Sequence, residues 1–288
     1  MDINLSIQNS KLPLFGPAGS DNDCAAAKCK STEDSLRFLS VRGIDAFEYQ
    51  CGRGINIKPE RAQAIGNLAA ELNIVMSLHA PYYISLASND EQKREASIQY
   101  ILKSAHVVHL MGGRRIVVHP GGLSGYPREE AFARAKETLT KAIEAVKAEG
   151  LDTIICPEVM GKINQLGDLR ETLELCTLAE NIISCVDFGH LNSRLQGRLD
   201  YKAALDEIFG TLGQEKSKNI HIHFSKIEYS KSGEIRHLTF EDDKYGPDFE
   251  PLIDEIKARN MTPVIICESD GTQSRDALAM KEYYLVNK

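Results

Sequence analysis

A chain of 288 residues, 42% hydrophobic and 26% charged, has ordinary globular composition and enough length for one large α/β core or two smaller ones. Its formal charge of −7 excludes a generally basic surface for nucleic acid, while leaving room for a local basic patch in an acidic average. The chain has no run of 18 apolar residues, and its start, MDINLSIQNSKLP, has neither a basic opening nor an apolar stretch of signal-peptide length, so a cytoplasmic protein without a membrane partner is expected.

Apolar runs alternate with amphipathic segments of helical period from residue 12 onward, with no linker between them. In chain order the strand candidates are LPLFG, DAFEYQ, IVMSLH, RIVVH, TIICPE, IISCVD, NIHIHF and PVIICE, each nearly all apolar, as parallel strands buried on both faces require. Between them lie helices such as PERAQAIGNLAAEL, with Pro59 in its first turn, and DEQKREASIQYILKSAHVV, with Ile98, Ile101, Leu102 and Ala105 on one face. The third clear helix is REEAFARAKETLTKAIEAVKAEG. Eight strands alternating evenly with eight helices, and no GxGxxG turn after the first strand, predict an α/β fold: a single (β/α)8 TIM barrel over residues 1–288. Residues 1–10 read as an extra lead-in. Seven cysteines without a CxxC pair read as reduced thiols, with Cys156, Cys185 and Cys267 as small core hydrophobes.

In such a barrel, catalytic groups gather at the C-terminal mouth. The last inward positions of the third to eighth runs are His79, His119, Glu158, Asp187, His223 and Glu268, with His190 three residues after Asp187. All are metal-ligand types. Two places earlier stand Ser77, Val117, Cys156, Cys185, His221 and Ile266, mostly small or apolar, so the polar character is confined to one level. Without cations, each close carboxylate pair in that layer would repel by about 4 kcal/mol at roughly 4 Å and an effective dielectric near 20. A divalent metal removes that cost, and the imidazole–carboxylate mixture suits zinc, with manganese or iron as substitutes. His221 reads as a core or supporting residue, and His106 and His109 as surface or packing residues on a helix.

The segments SLHAPYYISL, VVHPGG, CPEVMGKINQLG, CVDFGHLNSR, HIHFSK, EIRHLTFED and VIICES run in order from about residue 77 to residue 270. Together they resemble the endonuclease IV family of zinc-dependent abasic-site DNA repair enzymes, within the xylose-isomerase-like barrel superfamily. The resemblance implies two or three zinc ions. His79, His119 and Glu158 would hold one, and Glu158, Asp187, His223 and Glu268 a second, with Glu158 shared. His190 and His237 would belong to a third, which the family completes with an aspartate two residues before the last histidine. Here Ile235 stands in that place, and Glu234, Glu241, Asp242 and Asp243 are the nearby substitute carboxylates. Tyr82 and Tyr83 match the position where family members push side chains into the duplex. LPLFGPAGSDN and YQCGRGINIKP lack the family's DNA-contacting loop motifs.

The implied activity is hydrolysis of a phosphodiester at abasic or damaged sites in double-stranded DNA by a zinc-activated hydroxide, in a monomer. Glu158 and Glu268 would serve the attacking water, and Lys226, Lys231 and Arg236 of the seventh loop would meet phosphate. The alternative is a single-metal sugar isomerase or epimerase acting on a small sugar. It would use Glu158, Asp187, His223 and Glu268 alone, with Glu158 and Glu268 moving the proton and His190 and Arg236 binding hydroxyls. His79, His119 and His237 are surplus to that chemistry and favour the first reading.

Overall fold

The computed structural model describes residues 11–286. The first apolar runs form β1 (Leu14–Pro17) and β2 (Ala46–Gln50), with the short helix α1 (Asn22–Ala26) and α2 (Thr32–Val41) between them. There follow α3 (Pro59–Glu71), β3 (Val75–His79), α4 (Glu91–Leu110), β4 (Arg115–Val118), α5 (Arg128–Ala148) and β5 (Ile154–Pro157). Next come α6 (Leu169–Leu175), β6 (Cys185–Asp187), α7 (Phe188–Arg194), α8 (Tyr201–Lys218) and β7 (His221–Phe224). A hairpin of β8 (Lys226–Ser230) and β9 (Gly233–Leu238) then precedes α9 (Glu250–Ala258), β10 (Val264–Cys267) and α10 (Gln273–Val286).

Eight strands pair in parallel in two arcs, β1-β10-β7-β6 and β2-β3-β4-β5. Single bridges close both seams: Ala18 with Glu48 between β1 and β2, and Ile155 with Ile182 and Glu158 with Cys185 between β5 and β6. Gly16 makes the first seam fit, because a Cβ there would overlap the Ala46 carbonyl. The expected α/β barrel is therefore present, strand for strand. Its eight crossover helices are α2 to α6 and α8 to α10. The expectation of eight helices is corrected to ten among the described residues, because α1 and α7 are short helices seated in loops. The hairpin was also not foreseen, since KIEYSKSGEIRHL lacks the apolar runs that marked the barrel strands.

Helix faces pack as their periodicity requires. On α4, Ile98, Ile101 and Ala105 are buried and Leu102 packs half-buried against the same core. Each of the two buried isoleucines contributes on the order of 1.5–3 kcal/mol by leaving water. Arg115 is buried at the base of β4, where it donates to the carbonyls of Asn219 at 2.7 Å and Ile220 at 3.2 Å, and so ties β4 across to the start of β7. Burial brings its guanidinium down to about 10. All seven cysteines are free, and Cys156, Cys185 and Cys267 are buried. No helix among the described residues is long and apolar enough to cross a membrane. The lead-in at residues 1–10 lies outside the described residues.

Candidate metal centre

The strand ends do converge. His79 closes β3, Asp187 closes β6 and His223 lies in β7, while His119, Glu158 and Glu268 follow β4, β5 and β10. His190 owes its place to Asp187, which caps α7 by accepting from the His190 backbone N–H at 2.6 Å. That cap uses Oδ1 and leaves Oδ2 facing the centre, 3.3 Å from His190 Nδ1. The Asp-x-x-His spacing thus works as a helix N-cap that delivers two ligand-type side chains to one spot.

Glu158 sits in the middle. Its Oε2 lies 2.9 Å from His119 Nε2 and 3.4 Å from His79 Nε2, and its Oε1 lies 3.2 Å from His223 Nδ1. Glu268 Oε2 is 3.5 Å from the same His223 Nδ1. Backbone carbonyls select the nitrogens: His79 Nδ1 donates to Ala80 O at 2.9 Å, which turns Nε2 toward Glu158. His190 Nδ1 likewise meets Val159 O at 3.0 Å, and its Nε2 faces Glu234.

Five groups among the described residues bring their donor atoms within 4.8 Å of one another and could hold a cation, among them His79, His119 and Glu158; Glu158, Asp187, His223 and Glu268; and His190, Glu234 and His237; the other two, His79–His223–Glu268 and Cys185–His221–His223, share His223 with the second. The fit to metal has direct support in the polar groups. Glu158 Oε2, Asp187 Oδ2 and His190 Nε2 are buried without a hydrogen-bond partner, although each lies within 3.4 Å of an oppositely charged or chargeable group. Buried ligand-type atoms left without a hydrogen-bond partner are the kind that bound ions would satisfy.

Protons do part of the neutralising when metal is absent. Burial alone would depress the His79 imidazole, but the neighbouring Glu158 carboxylate, with Glu48 and Glu268 beyond, raises it to about 9. His190 also reaches about 9, its burial outweighed by Asp187, Glu234 and Glu158. Against its own burial, Glu268 falls to about 2 under the influence of His223 and His237. Glu158 falls well below the carboxylate range as His119, His223 and His79 overcome its burial. Asp187 moves up, chiefly through burial.

The third set comes from the unforeseen hairpin. Glu228 pairs with Arg236 and Tyr229 with Glu234, so Ile235 is an extra, unpaired residue in β9. In a regular strand, residues three apart face opposite ways. The bulge instead puts Glu234 and His237 on one side, with Glu234 Oε2 3.4 Å from His190 Nε2 and the His190 and His237 rings 5.4 Å apart. Ile235 points outward, 53% exposed. The hairpin docks on the loop after β5 through Glu234 N–H to Gly161 O at 3.3 Å, and Gly161 has to be a glycine because a Cβ there would strike Glu234 and His190. Of the substitute carboxylates named from the sequence, Glu234 is the one that joins the His190–His237 set.

A cleft of about 310 Å³ opens over the layer, lined by His79, Tyr82, His119, Glu158, Lys162 and Gln165, with His190, Glu234, His237 and Glu268 on its other side. Tyr82 and Tyr83 are 60% and 43% exposed, and Tyr82 forms part of the rim. Lys226 and Arg236 do not join them. Lys226 donates to Asp242 O at 2.6 Å and pairs with Asp248 at 3.2 Å, while Arg236 pairs across the hairpin with Glu228 at 2.7 Å. Lys162 is the lysine that does reach the cleft, and sequence reasoning passed over it. It also missed Glu48, buried in β2 beneath the layer beside His221 and His223. Glu48 is an isolated charge in an apolar run, a signal visible in DAFEYQ. His106 and His109 are exposed on α4, as expected.

A closed (β/α)8 barrel gathers at its mouth groups of imidazoles and carboxylates that could hold metal ions. A family model described as xylose isomerase-like TIM barrel matches residues 36–283, and the chain belongs to that family. The uncharacterized protein MJ0133 of Methanocaldococcus jannaschii is 33% identical over 260 residues, which is 88% of this chain and 93% of that protein. A probable endonuclease 4 of Mycoplasma pneumoniae is 31% identical over 156 residues, 52% of this chain and 53% of the relative, so that match spans about half of each. Among solved structures, endonuclease IV from Thermus thermophilus superposes with a TM-score of 0.73 at 17% identity, covering 96% of this chain and all of that one (100%). A D-tagatose 3-epimerase-like protein gives 0.67 at 21% identity, covering 89% and 94%. At these identities the two structures establish the shared fold alone.

Proposed function

We propose that this chain is a metal-dependent phosphodiesterase of the endonuclease IV kind, acting on abasic or damaged sites in double-stranded DNA with two or three zinc ions. One observation carries the reading: the bulge at Ile235 brings Glu234 to His190 and His237, completing a third donor set whose usual aspartate is missing. A single-metal epimerase has no use for that set. The similarity to probable endonuclease 4 supports the same reading.

Bound ions would supply Lewis acidity and an acidified water at neutral pH. The protein's part is positioning. Glu158 would be shared between two sites, and Glu268, which lines the cleft, would orient the attacking water and take its proton. His190, Glu234 and His237 would lie where the leaving oxygen gathers charge. Lys162 and Gln165, which line the cleft, would meet the phosphate, and the exposed Tyr82 and Tyr83 would fill the gap left when the damaged nucleotide leaves the stack.

The test pairs metal content per chain with cleavage of a duplex carrying one abasic site. Two or three zinc ions and cleavage at the lesion are expected. A single ion, manganese or otherwise, with no cleavage but turnover of a small keto-sugar would instead establish the epimerase reading. The four-ligand set Glu158, Asp187, His223 and Glu268, and the fold shared with a D-tagatose 3-epimerase-like protein, keep that reading in view.

A further inference from the structure

Beneath the ligand layer lies a charge that the proposed chemistry does not use. Glu48, on β2, is fully buried, and its carboxylate is held on several sides. Ser77 Oγ donates to Oε2 at 3.0 Å, His221 Nε2 meets the same oxygen at 3.0 Å, and Gln50 Nε2 donates to Oε1 at 3.2 Å. That oxygen, Oε1, lies 3.1 Å from His223 Nε2, off the line of a straight hydrogen bond. The other nitrogen of the same ring, Nδ1, is hydrogen-bonded to Glu158 Oε1 at 3.2 Å and lies 3.5 Å from Glu268 Oε2, the two carboxylates of the second donor set on that side. His223 is thus gripped between a fixed carboxylate below and the metal-type donors above.

We infer that Glu48 is a positioning residue for the metal centre: when an ion takes the place of the proton between Nδ1 and Glu158, the Glu48 carboxylate 3.1 Å from Nε2 receives the remaining ring proton there, so that Nδ1 is presented upward as a ligand. Two features argue for it. A carboxylate in a barrel interior carries a large desolvation cost, and a glutamine of the same shape would satisfy Ser77 and His223 without one. What the charge adds is a stronger hold on an imidazole N–H and a more basic opposite nitrogen, the effect such partners have on metal-bound histidines. The anchoring is also out of proportion to a packing role, because Ser77 and His221 from two other strands converge on the one oxygen that does not face His223.

This role rests on the metal-centre reading, and the experiment separates the two. Zinc affinity of wild type, Glu48→Gln and Ser77→Ala would be measured by chelator competition, with ¹⁵N NMR of the His223 ring reporting its tautomer. Wild type should load zinc with His223 protonated at Nε2. Glu48→Gln should fold, bind zinc about 10–100-fold more weakly, and show a mixed or inverted tautomer. A folded Glu48→Gln protein with wild-type affinity and an unchanged His223 spectrum would overturn the role of Glu48 alone. If Glu48→Gln does not fold, Ser77→Ala decides: a few-fold loss of affinity with a shifted His223 spectrum supports the role, and no change in either overturns it. A wild type that takes up no zinc would overturn the metal centre itself.

Discussion

Glu234 Oε2 lies 3.4 Å from His190 Nε2, and it gets there because Ile235 is squeezed out of the β8–β9 ladder. Read through the bulge, Glu234-Ile235-Arg236-His237 is a carboxylate-x-His pair with one residue inserted. Two changes should therefore behave in opposite ways. Glu234→Ala should cost one zinc per chain and most of the cleavage activity, with fold stability within about 0.5 kcal/mol. Deleting Ile235, which is exposed and unpaired, should leave the pairing of Tyr229 with Glu234 intact and the zinc content unchanged. Plasma emission analysis of both proteins checks this. Loss of metal in the deletion but not in Glu234→Ala would show that the third set is not built as described.

A second expectation concerns pH. His79 and His190, raised to about 9 from 6.5, contribute stability that is fully present below about 6.5 and is lost as pH rises through about 9. Glu268, lowered from 4.5 to about 2, contributes above about 4.5 and loses its share as pH falls through about 2. Chelator-treated protein should therefore lose thermal stability between pH 6.5 and 9. Zinc must displace the histidine protons, so its affinity should rise over the same interval, and loaded protein should hold or gain stability there. Thermal melts with and without chelator at pH 6, 7.5 and 9 test both signs. Parallel curves would mean that zinc does not bind these imidazoles.

How much of this the sequence revealed depended on how local the cause was. The barrel strands were legible because double-sided burial writes itself as an apolar run, and the convergence of His, Glu and Asp at the mouth because those runs end in such residues. Glu48 escaped because only the third to eighth runs were compared, and its partners His221 and Ser77 sit on other strands. The hairpin escaped because its pairing depends on docking against Gly161, which lies some seventy positions earlier in the sequence than β9. Lys226 and Arg236 were assigned to phosphate on charge alone, yet Asp248 and Glu228 already pair with them. Whether a surface charge is free is a property of its neighbours in space, which a one-dimensional pattern does not contain.

Glu158 should be the costliest single residue. It belongs to two donor sets, and its oxygens approach His79, His119 and His223. Glu158→Gln keeps the volume and removes the charge, so zinc content should fall by more than one ion and cleavage by at least about 10²-fold. His119→Ala, which touches one set, should cost one ion. Equal metal loss in the two variants would show that Glu158 is not shared.

Tyr82 offers the cleanest separation of the proposed DNA engagement from folding. It is 60% exposed at the cleft rim, its ring 5.8 Å from that of Tyr83, so Tyr82→Ala should leave the melting temperature and zinc content unchanged. If the ring stacks in the gap at a lesion, its removal should cost on the order of 1–3 kcal/mol of binding, about 5- to 150-fold in affinity for abasic duplex. Intact duplex makes no such gap, and its weaker binding should hardly change. Titrating labelled duplexes with and without a lesion, at one fixed salt concentration, gives the comparison directly. An equal loss on both would make Tyr82 a general contact, and no loss on either would remove the aromatic rim from the account of how the lesion is recognised.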